Sequence, residues 1–285
     1  MKLAAIQYVG EDGVTSPCSD AVALLLQHGE QVEIAHILTS EEHHHAFLLV
    51  TGGGDRIAVK SGFASGYSGE GSHGLSHTLQ LLRAHGVELR ECRVDAGLME
   101  RLAFSALTAA DVDEIENSRP RRSNWPDYIF ERDWQRFQDK TLWEDLKLSI
   151  PMAILDPRLI DIALSFWKAP HDRLLQAWRL LEDQLRARLG SSEYGARLMS
   201  QAFQGANPTL RWPNIDATEQ GVRGELFKSA FGSCRNPRAH REFASDAPAE
   251  LSEFLLINHL FRLEAAAVET CVVSGDVSSA ATLRS

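Results

Sequence analysis

Four apolar stripes at helical spacing in the second half of the chain set the strongest limit on its fold. From His171 to Leu189, the residues Leu174, Leu175, Trp178, Leu181, Leu185 and Leu189 recur close to every 3.6 positions, and Gly190 follows as a stop. Ser192 to Ala202 reads as a shorter helix. Glu219 to Cys234 reads as a long one with Leu226, Phe227, Ala230 and Phe231 inward. Pro248 to Glu269 closes the set with Leu251, Phe254, Leu255, Ile257, Leu260 and Phe261. A helix with one apolar stripe must bury it against another element, so these lengths predict an antiparallel four-helix bundle, with Pro157 to Trp167 as a shorter helical segment before it. Gly221, Gly224 and Gly232 each weaken the third helix by about 1 kcal/mol relative to alanine, which leaves its ends open.

The first half has a different pattern. Leu3 to Val9, Gln31 to Leu38, Ala46 to Thr51, Arg56 to Lys60 and Val87 to Val94 are short strand candidates, several bounded by Gly or Asp. Ser19 to His28, capped at Ser19 or Asp20, and Gly74 to His85, stopped at Gly86, are amphipathic helices between them. The chain is therefore α+β: a small α/β or α+β domain over 1–118, a linker with short helices over 119–168, a helical bundle over 169–270 and a disordered end over 271–285. The linker begins with a basic, proline-punctuated run, Ser118-Arg119-Pro120-Arg121-Arg122-Ser123-Asn124-Trp125-Pro126. Trp125, Trp134 and Trp143 fall nine residues apart without repeating flanks, and their apolar area favours packing over RNA stacking.

With 285 residues, 44% hydrophobic and 24% charged, the chain has the composition of a soluble protein of about two domains. No apolar run approaches the roughly 20 residues needed to span a bilayer, and the amino terminus lacks a signal sequence, so the expected location is the cytoplasm. Cys18, Cys92, Cys234 and Cys271 form no C-x-x-C pair and read as reduced thiols. The formal charge of −10 argues against indiscriminate coating of nucleic acid.

Two amino-terminal features have competing readings. Glu41-Glu42-His43-His44-His45 contains metal-ligand residue types without ligand spacing, and reads as a solvated loop with no metal. Gly62 to Gly74, GFASGYSGEGSHG, precedes a helix and would display Gly66, Tyr67, Gly69, Glu70 and His73. Backbone amides there could meet a phosphate, but no Gly-Lys-Ser/Thr follows, and a tight structural loop competes with a ligand loop.

The sharpest charge inversion in the second half lies in Gly221 to Glu242. Between Arg223 and Arg241, Arg223, Lys228, Arg235, Arg238 and Arg241 face a single acid, Glu225. Within it, Arg235-Asn236-Pro237-Arg238-Ala239-His240 gathers groups suited to metal-free RNA cleavage. RNA brings its own nucleophile, the 2′-hydroxyl; an enzyme must remove that proton, protonate the leaving 5′-oxygen and stabilise the phosphorane, work for a histidine and a permanently charged arginine. No cofactor is needed. Pro237 predicts a break, with Asn236 as an N-cap and Pro237 as the first residue of a new helix, a kink that helps Arg235 and His240 converge. Asn236 would orient a phosphate or the histidine, and Lys228 and Arg238 would bind flanking phosphates. The competing readings are solvated side chains for Arg238 and Arg241, and a plain helix end for the whole run.

Arg235-Asn236-x-x-x-His240, between two long helices, resembles the R-x4-6-H signature of the HEPN superfamily. More narrowly, GELFKSAFGSCRNPRAHRE, with Glu182 in the earlier helix and the leucine-rich last helix, looks like the Ymh-type branch of bacterial and prophage proteins, a resemblance covering about 169–268. It implies an all-α HEPN-like bundle, a homodimer with two motifs facing one cleft, and a metal-independent endoribonuclease acting as a toxin or antiphage, abortive-infection effector. Arg235 and His240 would be catalytic and Asn236 auxiliary, while Glu182 would either support the site or complete an ion pair. Noncatalytic HEPN dimerisation or adaptor modules are the alternative. Residues 1–118 would then sense a ligand, a protein or an invading nucleic acid.

Overall fold

The computed structural model describes residues 2–41, 43–118, 124–240 and 245–270, with Ala239 and His240 described by their backbone alone. The chain divides into two compact units, Met1–Lys147 and Leu148–Ser285. That division falls inside the stretch 119–168 expected as a linker with short helices. Leu142 is fully buried in the core of the first unit, and Leu159, Ile162 and Phe166 are buried in that of the second, because this stretch carries too much apolar area to be left in water.

In the first unit β1 (Gln7–Val9), β2 (Val32–Ser40), β3 (His44–Thr51), β4 (Arg56–Ala64) and β5 (Glu88–Arg93) form one sheet, ordered β1-β4-β3-β2-β5. The meander β2-β3-β4 is antiparallel, and β1 and β5 join its two edges in parallel, so all strands but β3 point the same way. Both faces are apolar: Ile37, Phe47 and Leu49 turn toward α1 (Thr15–Gln27) and α2 (Glu70–Ala84), while Leu38, Ala46 and Leu48 turn toward α3 (Ala96–Ala103) and α4 (Ala109–Asn117). A doubly covered sheet explains why β3 is a continuous apolar run. Helix α1 starts four residues before Ser19, and neither Ser19 nor Asp20 caps it. The short α5 (Glu131–Gln138) packs on α2, where the Arg83 guanidinium lies 5.1 Å from Trp134, 5.3 Å from Trp125 and 5.6 Å from Phe137, so two of the three spaced tryptophans serve packing.

The second unit is helical around one core, with α6 (Ile160–Leu164), α7 (Pro170–Leu189), α8 (Gly195–Phe203), α9 (Ala217–Ala230), α10 (Asn236–His240) and α11 (Ala247–Ala266). Pro170 opens α7 and Gly190 ends it in the left-handed region at φ 58°. Asp216 caps α9 by accepting from Glu219 N–H, and Asp246 caps α11 by accepting from Ala249 N–H. The unit is not purely helical: Leu210–Arg211 pairs antiparallel with Val268–Glu269. Gly224 lets α9 approach α8, since a Cβ there would lie 3.1 Å from Phe203. Residues 271–285, expected as a disordered end, lie outside the described residues.

Candidate functional site

The Arg235 to His240 run does not break at Pro237. Helix α9 passes into a π turn, Phe231–Arg235, and then directly into α10. Asn236 has right-handed helical angles, φ −65° and ψ −49°, and its N–H bonds Phe231 O, so it is not an N-cap and opens no fresh amino terminus. A proline ring clashes with the carbonyl four residues back; the wider π turn ahead of Pro237 gives that carbonyl room and lets the helix continue. The expected kink is replaced by this bulge, a feature common at functional sites.

Arg235, partly buried, points back to α7, where its guanidinium lies 3.6 Å from Glu182 Oε2. The other Glu182 oxygen accepts the Gly195 N–H at the start of α8, 2.6 Å away. Arg235 also lies over the Phe231 ring at 5.6 Å. The two residues that the sequence placed 53 positions apart are therefore neighbours. His240 closes α10 as backbone, and its side chain lies outside the described residues.

The other described cations of the stretch each have an acidic partner. Arg238 is only 7% exposed and is neither solvated nor available for phosphate: its Nη2 donates to Glu253 Oε2 at 2.5 Å, and its Nη1 lies 3.0 Å from His171 Nδ1 on α7. Glu253 also accepts the Trp178 indole N–H at 2.8 Å, so one carboxylate on α11 fixes α10 and α7 together. Lys228 is half-exposed and weakly paired with Glu225 at 3.4 Å, and Arg223 bonds Glu219 at 2.6 Å. The local positive excess in the sequence is thus offset by acids from elsewhere on α9, α7 and α11. Asn236 is exposed, and Arg241 lies outside the described residues.

At the far end of the unit Arg158 bonds Asp156 and Glu264, and Arg188 bonds the other Glu264 oxygen at 2.6 Å. These hydrogen bonds, to Asp156 first, push the Arg158 guanidinium above its ordinary range and hold the Asp156 carboxyl below its own.

In the first unit the glycines of the Gly62 to Gly74 loop have steric reasons. A Cβ at Gly74 would fall 2.2 Å from Thr15, one at Gly71 3.1 Å from Ala64, and one at Gly69 2.6 Å from the exposed Tyr67 ring. Gly66 is left-handed at φ 83°, with the His43 imidazole against it. Glu70 opens α2, and His73 packs on Phe130 at 4.5 Å. The three histidines are not a loop: His44 and His45 begin β3, and His45 is fully buried. Glu42 lies outside the described residues. No group of three His, Cys, Asp or Glu side chains could hold a metal among the described residues, and no helix there is long and apolar enough to cross a membrane.

No curated protein matches the chain. A solved chain from respiratory complex I of Thermus thermophilus aligns at 20% identity with a TM-score of 0.37, covering 44% of this chain and all of that one. Residues 154–263, from just before α6 into α11 and including the π turn between α9 and α10, match the family described as a protein of unknown function, Hypoth_ymh, so the carboxy-terminal unit is similar to Ymh-type domains over that stretch.

Proposed function

We propose that the carboxy-terminal unit is a HEPN-type endoribonuclease that cleaves RNA without metal, as a homodimer in which two copies of the motif share a cleft, and that the chain is a cytoplasmic toxin or antiphage effector. The observation that carries this reading is the anchoring of Arg235: buried Glu182, 3.6 Å away on α7, holds it at a π turn next to the helix that ends in His240. A pre-positioned guanidinium costs no reorganisation when charge develops on a phosphorane. His240 would take the 2′-hydroxyl proton or supply one to the departing 5′-oxygen, leaving a 2′,3′-cyclic phosphate and a 5′-hydroxyl end. The buried, paired Arg238 acts as a brace for α10, so phosphate binding falls to Arg235 and to the exposed Asn236. Residues 1–147 would carry the sensing or a separate function.

The same ion pairs suit a noncatalytic dimerisation or adaptor module, because nearly every cation in the stretch is already matched to an acid. Sequencing of RNA ends after induction of wild-type or His240→Ala protein separates the two. The nuclease reading requires new 5′-hydroxyl ends and growth arrest with the wild type only, and cleavage by pure protein in EDTA. Equal inertness of both proteins toward transfer, ribosomal and messenger RNA would overturn it and leave the adaptor reading.

A further inference from the structure

The carboxyl edge of the amino-terminal sheet joins two stretches that the sequence kept apart. His44 and His45 pair with Ala64 and Phe63, and Ser65 N–H donates to His43 O at 2.9 Å, so the histidine run lies beside the start of the Gly-rich loop. In open sheets of parallel strands, this edge is where ligands bind.

Ser65, His45, Thr39 and Glu91 of this sheet and Tyr128 beside it form a connected hydrogen-bond network. Ser65 Oγ lies 2.8 Å from His45 Nε2, and His45 Nδ1 lies 3.1 Å from Thr39 Oγ1. Thr39 Oγ1 donates to Glu91 Oε1 at 3.0 Å, and the Tyr128 hydroxyl donates to the same oxygen at 2.8 Å. The order of protons follows from valence. A carboxylate only accepts, so the single Thr39 proton points to Glu91, and the Thr39 oxygen accepts from Nδ1–H. That leaves Nε2 as a lone pair, 2.8 Å from Ser65 Oγ. Burial pushes the His45 pKa down to about 4, so the ring stays neutral. A hydroxyl within hydrogen-bond reach of a neutral imidazole, whose far nitrogen is held by a hydroxyl backed by a carboxylate, is the arrangement of a nucleophile with its base and orienting group.

The position suits that role. Ser65 follows the last residue of β4 and is succeeded by left-handed Gly66, four residues ahead of α2, beneath an exposed stretch of Gly66, Tyr67 and Ser68. Among the described residues the first-turn amides of α2 at Glu70, Gly71 and Ser72 have no hydrogen-bond partner, and α2 has no side-chain cap. They are donors available to an oxyanion.

We propose that Ser65 and His45 are a nucleophile and general-base pair that hydrolyses small carboxylic esters, an activity of the amino-terminal unit separate from the RNA site. Ser65 Oγ forms a bond to the acyl carbon while its proton passes to His45 Nε2. Collapse of the tetrahedral intermediate breaks the ester C–O bond, and the departing alkoxide takes the proton from His45. Water then repeats the sequence on acyl-Ser65, releasing the carboxylic acid. A small acyl group is required because Ser65 is only 6% exposed.

The test uses the full chain and a small alkyl fluorophosphonate, which bonds phosphorus to Oγ, expels fluoride and passes the serine proton to the base. Peptide mapping should find one adduct on Ser65, with release of p-nitrophenol from p-nitrophenyl acetate that is lost in Ser65→Ala. Thr39→Val, which cuts the link from His45 to Glu91, should slow both reactions about 100-fold. Absence of an adduct on Ser65 in the folded wild type overturns the proposal, and so does labelling of His45→Gln at the wild-type rate. If any of these three variants unfolds, the wild-type adduct map decides alone.

Discussion

Glu182 joins three elements through two oxygens: Oε2 faces the Arg235 guanidinium at 3.6 Å, and Oε1 accepts the Gly195 N–H at 2.6 Å. A carboxylate only 6% exposed is tolerated there because both oxygens have partners. Glu182→Ala strips an amide and a guanidinium of their acceptor, and should cost about 1–3 kcal/mol in urea unfolding. Glu182→Gln keeps an oxygen for Gly195 and should cost less. Equal stability of Glu182→Ala and the wild type would show that water replaces the carboxylate.

The Arg238–Glu253 pair is more deeply buried and should matter more. Removing either partner leaves an uncompensated charge against Trp178 and His171, so Arg238→Ala or Glu253→Ala should destabilise by about 3–5 kcal/mol. Arg238→Lys should recover little, since an ammonium lacks the planar fork that spans Glu253 and His171. Retention of the wild-type melting temperature by Arg238→Lys would argue against the brace.

How far the sequence disclosed these features depended on range. Helical periodicity placed α7, α8, α9 and α11 within a few residues, because an amphipathic stripe is a local signal. The five strands were found for the same reason, although β1 is shorter and β4 longer than expected. Pairings across long separations were hidden. The basic stretch looked unbalanced because its acids, Glu182 and Glu253, lie on other helices. Pro237 suggested a break because nothing in a one-dimensional pattern marks a π turn. Ser65 passed unnoticed inside a glycine-rich run, since its partner His45 and the Thr39 and Glu91 behind that ring come from three different strands.

Gly74 tests the steric reading of the loop. A methyl group there would meet Thr15 Cγ2 at 2.2 Å, and both residues lie on helices held against the same sheet. Gly74→Ala should therefore destabilise by about 1–3 kcal/mol, and the double variant with Thr15→Ser, which removes that methyl, should recover much of the loss. No recovery would place the constraint elsewhere.

His45 makes the first unit sensitive to acid. Its ring is enclosed by Thr39, Ser65 and Tyr128, with Glu91 raising its pKa and His44 and His43 lowering it, yet burial dominates and leaves it near 4. In the unfolded chain the ordinary value of about 6.5 returns. Between those two values the unfolded state binds more protons than the folded state, so stability rises with pH across that window and is level above it. The drop from pH 7 to pH 4 is up to about 3 kcal/mol from His45, and His36 and His77, also lowered by burial, add to it with the same sign. Urea unfolding at a series of pH values should show this slope, reduced in His45→Gln, whose amide does not titrate. An unchanged slope in that variant would assign the acid sensitivity to other groups.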